Sequence, residues 1–240
     1  LGVQKKEVPS VFPFFDPTMV LILPALALAL WAQFRVKSTF SKYSEVLSRR
    51  GMSGAQVANA ILERNHLDVS VEPIEGSLTD HYDPRDRTLR LSEDVYGSRS
   101  IAALGVAAHE AGHAIQHAHH YLPLQLRSNL VPVANFGSTL AMPLFLAGLI
   151  FQQQGASFLM DIGILLFTFA VVFGLVTLPV EFNASSRAIQ VLSQHGYLAP
   201  DEIDSARKVL NAAAWTYVAS ATMAVLQLVR LLILRGQRED

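Results

Sequence analysis

The sequence predicts a mainly helical membrane protein with four spans and a small α/β unit between the first two. Charged residues make up only 16% of the 240 positions, against roughly 25% in soluble domains. Mean hydropathy is positive, at +0.31. The apolar residues are gathered into long runs, and a spanning helix needs about 20 mainly apolar residues. The net charge of −1 gives no reason to expect a nucleic-acid partner. With no cysteine, disulfides, thiolate zinc sites and thiol catalysis are excluded. The expected organisation is a single membrane domain over 1–240.

The first span runs over 18–34 and is interrupted by Pro24. Ala27-Leu28-Ala29 has the small-x-small pattern of a cleaved signal. Trp31 followed by Arg35 reads instead as a membrane border, which favours an uncleaved anchor. The other spans are 130–151, 156–180 and 210–234, with Asn135, Asp161, Asn211 and Arg230 as their few polar members.

Basic residues near span ends set orientation. Arg35, Lys37, Lys42, Arg49, Arg50 and Arg127 flank the segment 35–129, and Arg187, Arg207 and Lys208 lie in 181–209. The turn Gln152-Gln153-Gln154-Gly155 is uncharged. Both charged segments are therefore expected on the cytoplasmic side, with both termini outside. Lys5, Lys6, Arg235 and Arg238 count against that orientation.

Between spans one and two the pattern changes. Ser53 can cap a helix to about Asn65, with Val57, Ala60 and Ile61 on one face. Val69-Ser70-Val71-Glu72 and Thr88-Leu89-Arg90-Leu91 alternate like strands, with Asp83-Pro84-Arg85-Asp86 as turn residues between them. Ser98 or Ser100 then opens a helix to about Ala118.

That helix carries His109-Glu110-Ala111-Gly112-His113, a match to H-E-x-x-H. Residues four apart share a helix face, so both imidazoles can reach one ion. Zinc accepts neutral nitrogen ligands, and a catalytic site keeps a position for water. Glu110, next to the first ligand, can accept that water's proton. An ordinary amphipathic helix with solvated histidines fits badly, because Ile101 to Ala108 is almost wholly apolar and buried ionisable groups need partners.

A catalytic zinc site needs a third protein ligand. His119 stands where a third histidine would follow the motif, but the glycine that lets such a chain turn back is replaced by Gln116. No Met-turn follows either, so His117 and His119 read as interfacial or supporting residues. Glu181 is better placed, at the end of span three and two crossings after the histidines, hence on the same side. Asp161 lies near the other side. Asp201, Glu202 and Asp204 lie on the right side but look like a solvated first helical turn. Glu181 also fits a helix-start carboxylate favoured by the helix dipole.

With these residues in view, the chain resembles the YugP-type membrane zinc metallopeptidases of bacteria, a gluzincin-like family. The resemblance covers nearly the whole chain. It rests on Gly51-Met52-Ser53-Gly54-Ala55, Leu78 to Arg85, Leu89-Arg90-Leu91-Ser92, Ala107 to Ala118, and Leu178-Pro179-Val180-Glu181-Phe182-Asn183-Ala184-Ser185. It implies a zincin-like unit in a bacterial membrane protein, and the basic residues at the span ends place that unit on the cytoplasmic side of the expected inner membrane. Its one Zn²⁺ per chain would be held by His109, His113 and Glu181, with Glu110 as general base of an endopeptidase. Ala111 stands where such sequences often have cysteine, and Ser185 where better-known gluzincins have an aspartate supporting a histidine ligand.

The expected partners are the lipid bilayer and a peptide or protein substrate, membrane proteins among them. Substrate is expected to lie extended against an edge strand, with Thr88 to Leu91 as the candidate edge. His195, His81, Tyr121 and Arg187 are candidates for oxyanion support. A non-catalytic, zinc-stabilised scaffold or chaperone-like protein is the main alternative, and the intact Glu110 favours the enzyme. An intramembrane protease fits less well with a charged α/β unit before the motif helix. A transporter would need ionisable residues well inside its spans.

Overall fold

The structure, a computed structural model, describes residues 17–237. Lys5, Lys6 and Arg238, used above in the orientation reading, lie outside the described residues. A 3₁₀ turn, Pro17–Ile22, leads into α1, Leu23–Ser44. Pro24 does not break this span. It falls in the first turn of α1, where a missing N–H is one of the unpaired donors anyway. Then follow α2 (Gly54–Arg64), β1 (Ser70–Ile74), β2 (His81–Asp83), β3 (Thr88–Ser92), α3 (Glu93–Tyr96) and α4 (Ile101–Ala118). Three long helices complete the chain: α5 (Leu122–Ile150), α6 (Phe158–Gln194) and α7 (Ile203–Gly236). Four helices, α1 with its lead turn, α5, α6 and α7, are long and apolar enough to cross a membrane.

Local signals explain the element starts. Ser53 Oγ accepts from Gln56 N at 3.3 Å, and Gln56 Oε1 accepts from Ser53 N at 2.9 Å, a reciprocal capping box that starts α2. Of the two serines offered for α4, Ser100 is the cap, accepting from Ala103 N at 3.2 Å. The helices α4 and α6 end alike. Tyr121 N donates to Gln116 O and His120 N to His117 O. Tyr197 N donates to Leu192 O and Gly196 N to Ser193 O in the same 6→1 and 5→2 pattern. The left-handed residue is Gly196 in α6 but His120 in α4, at φ 51°.

The sheet differs from the expectation. It has three strands in the order β1-β3-β2, with β1 parallel and β2 antiparallel to β3. Thr88–Leu91 is therefore the central strand, not an edge, and the edges are β1 and the unforeseen β2. The Asp83–Asp86 turn joins β2 to β3. Three residues are too few for alternation to register, so β2 left no strand signal in the sequence. Asp80, before β2, is held by Ser92, whose N donates to it at 2.8 Å. Burial raises the Asp80 pKa against the opposing effect of those Ser92 hydrogen bonds.

The core joins this unit to the long helices. Val57 and Ile61 of α2, Leu89 and Leu91 of β3 and Leu104 of α4 pack in one buried cluster with Leu192 of α6 and Leu210 of α7. Glu202 is not a solvated first-turn residue. It is buried, accepting from Arg49 N at 2.9 Å and Ala199 N at 2.7 Å, and so ties the loop after α1 to the start of α7.

The contact that matters most lies between α4 and α6. A Cβ on Gly112 would stand 2.8 Å from the carbonyl oxygen of Ala184. At Gly105, two turns earlier in α4, an added Cβ would meet Ala206 at an ordinary 3.7 Å. Gly112→Ala is expected to push α4 off α6, destabilise the protein by about 1–3 kcal/mol and weaken metal binding. Gly105→Ala is expected to be neutral or stabilising, since alanine is favoured in helices by about 1 kcal/mol. Thermal unfolding in detergent with metal analysis checks both, and a wild-type melting temperature for Gly112→Ala would contradict this packing.

Candidate metal centre

His109, Glu110 and His113 lie within α4, whose residues from Ile101 to Gln116 are almost all buried. Their spacing carries both imidazoles to the α6 side, where Gly112 allows the backbones to close. Glu181 faces them. It does not start a helix, because α6 runs unbroken through Pro179 to Gln194. The helix-start reading of this carboxylate is thereby overturned.

Glu181 Oε2 lies 3.2 Å from His109 Nε2 and 3.6 Å from His113 Nε2. One ligand atom from each of the three residues falls within 4.8 Å of the others, and among the described residues this is the one such cluster. The other ring nitrogens are engaged elsewhere. His109 Nδ1 lies 3.1 Å from Ser185 Oγ, and His113 Nδ1 lies 3.0 Å from Gln116 Oε1. Gln116 Oε1 can only accept, so the proton of a neutral His113 sits on Nδ1 and the Nε2 lone pair points into the cluster. Two imidazole nitrogens and one carboxylate oxygen form a donor set suited to zinc. The geometry therefore fits a metal.

Supporting contacts extend outward from both sides. Gln116 Nε2 donates to Val180 O at 2.8 Å and to Asn183 Oδ1 at 2.9 Å. Arg187 Nε donates to the same Asn183 oxygen at 2.8 Å. The second carboxylate oxygen of Glu181 accepts from Arg127 Nη1, on α5, at 3.0 Å. Tyr217, on α7, lies close enough to interact with Glu181, Glu110 and Arg127. Burial pushes the His113 imidazole towards its neutral form, but the Glu181 and Glu110 carboxylates outweigh it and raise its pKa. The pocket thus favours a positive charge at this point.

Several expected residues stand elsewhere. His119 is the exposed C-cap of α4. His117 is tied to the edge strand, its Nδ1 lying 2.8 Å from the Tyr82 hydroxyl. Of the oxyanion candidates, His81 contacts Thr79 O, Arg187 contacts Asn183, and His195 stacks near Tyr197. Tyr121 lines a cleft of about 370 Å³ beside Gln116 and His117. Asp161 pairs with Arg235, Asp201 with Arg49 and Asp204 with Arg207, all outside the cluster.

Sequence reasoning missed Arg127, Asn183, Tyr217 and the supporting role of Gln116. Gln116 carried a usable signal, since it follows His113 by three on the same helix face. Tyr217 was visible as a phenol within an apolar run. Nothing in the sequence set its distance from Glu181.

Residues 18–236 match a protein family described as "Putative neutral zinc metallopeptidase". The chain belongs to this family. It is also 50% identical, over 223 residues, to "Putative membrane protease YugP" of Bacillus subtilis (strain 168). That alignment covers 92% of this chain and 98% of the relative. No solved structure matches the chain. Family membership implies zinc, and the cluster of His109, His113 and Glu181 is where the fold could hold it.

Removing the hydroxyl beside His109 tests the support. Ser185→Ala is expected to weaken zinc affinity by about 10–100-fold in chelator competition, with the fold intact. Ser185→Asp is expected to hold or tighten it. Unchanged affinity in Ser185→Ala would contradict a role for that contact.

Proposed function

We propose that this protein is a zinc-dependent membrane endopeptidase, with its active site on the cytoplasmic side of the bacterial inner membrane. The observation that carries the reading is the convergence of His109 Nε2, His113 Nε2 and Glu181 Oε2 beside the buried Glu110. One zinc per chain, held by these three ligands, would lower the pKa of a water and polarise the scissile carbonyl.

The chain's own residues divide the remaining work. Glu110 takes a proton from the attacking water and passes it to the departing amine. Ser185 and Gln116 hold the two imidazoles in the tautomer that presents Nε2. Arg127 engages Glu181 Oε1 and leaves Oε2 facing the histidines. Tyr217, a phenol that interacts with Glu181 and Glu110, supplies a hydrogen bond to the oxyanion as it forms. Substrate pairs with the edge strand β2, which Tyr82 and His117 fix against α4. The cleft beyond Gln116 receives one end of it.

A zinc-stabilised scaffold has no use for Glu110, which gives a clean separation. Glu110→Gln is expected to keep folding and zinc content while hydrolysis of a protein substrate falls by about 10²–10⁴-fold. Tyr217→Phe is expected to lower kcat by about 10²-fold with little change in KM or zinc. Both are measured in proteoliposomes with added zinc. Equal cleavage by Glu110→Gln and wild type would rule out this mechanism.

A further inference from the structure

The site residues on the long helices sit next to large apolar side chains that the fold leaves uncovered. On α5, Arg127 contacts Glu181, and its neighbour Leu126 is 45% exposed, as is Leu122 one turn before it at 63%. On α6, Glu181 itself is followed by Phe182, 49% exposed. On α7, Tyr217 stands two residues from Trp215, 42% exposed. A helix rises about 1.5 Å per residue, so on each of three spanning helices a site residue and an exposed apolar side chain (Leu126, Phe182 or Trp215) lie within about 3 Å along the axis, forming an apolar collar that Leu122 extends by a turn.

The depth of that collar is marked by chemistry. Trp215 meets Trp31 of α1 edge to face, ring centroids 5.4 Å apart, and the Arg35 guanidinium lies over Trp31 at 5.4 Å from its centroid. Tryptophans with an adjoining cation settle at the boundary between hydrocarbon and headgroups. Beside the first turns of α5 lies the cleft, where Gln116, Gln125 and Ser128 stand among apolar neighbours such as Leu124. The same short stretch of α5 thus leaves Leu122 and Leu126 exposed and sends Arg127 to Glu181.

Resting on the peptidase reading above, we propose that the substrate is a membrane-anchored polypeptide, cut in the first residues that emerge from the bilayer. The collar seats the catalytic groups at headgroup level. Such a chain reaches Glu110 from the side, past α5, with its anchor still in lipid. A bond far from the membrane must bend back to reach a site at this depth, and a soluble chain gains nothing from the collar.

The full-length zinc-loaded protein is reconstituted with a single-span polypeptide bearing a long, uniform, unstructured tail, and the cut positions are mapped by mass spectrometry. An extended chain covers about 3.3–3.6 Å per residue, so cuts are expected within roughly the first six residues after the span. The free tail peptide is expected to be cut at least about tenfold more slowly. Cuts spread evenly along the tail, or clustered at its far end, would overturn the proposal. Depth is measured separately by lipid bromine quenching, because the chain has only 2 tryptophans and both lie in the collar. Bromine near the headgroup end of the acyl chain should quench more strongly than bromine at its middle, and the reverse order would overturn the proposal whatever is cut. Protein that keeps the expected quenching order and binds zinc but cuts no tail would overturn the peptidase reading and the substrate class with it.

Discussion

Everything at the metal centre depends on how closely α4 approaches α6. The histidines are fixed to one helix by their spacing, but the third donor comes from a helix 72 positions later. It reaches them only because Gly112 offers no side chain where Ala184 O stands. Glycine at this point of a buried helix costs about 1 kcal/mol of helix propensity. What it secures is a geometry that no rotamer change elsewhere could restore.

The second constraint is charge. Glu181 is buried, with its side chain 3% exposed. An unpaired carboxylate in such a place costs several kcal/mol. The protein surrounds it with His109, His113 and Arg127, each from an element that also packs the core or starts a span. Arg127 takes one oxygen and the imidazoles the other, so the carboxylate is oriented as well as compensated. The same logic reaches outward through Gln116, whose side chain is wholly buried and joins His113 to Val180 O and Asn183. Packing and electrostatics here serve one geometry.

Much of this was legible in the residues. Ser53 and Ser100 announced their helices through capping chemistry, and the long apolar runs announced the four long helices, because both signals are local. The histidine pair was legible because helical periodicity alone puts it on one face. Counting membrane crossings admitted Glu181 together with Asp201, Glu202 and Asp204, and the family resemblance gave Glu181 much of its weight. What escaped depends on tertiary distance. The strand β2 is too short to show a period, and the assignment of Thr88–Leu91 to an edge failed because sheet order is not written in any one strand. Glu202 looked solvated because its partners, Arg49 N and Ala199 N, are backbone groups brought to it by folding. Tyr217 and Arg127 escaped for the same reason, being far along the chain from the groups they interact with.

The central claim is that His109, His113 and Glu181 together hold one zinc ion. The most direct measurement is the metal content of purified protein, with X-ray absorption at the zinc edge and the same measurement on His113→Ala. The expected result is about one zinc per chain in a nitrogen and oxygen shell at about 2.0–2.2 Å, containing imidazole and no sulfur, with most of the metal lost in the variant. A folded wild-type protein that takes up no zinc, or a His113→Ala variant that keeps its full complement, would contradict it.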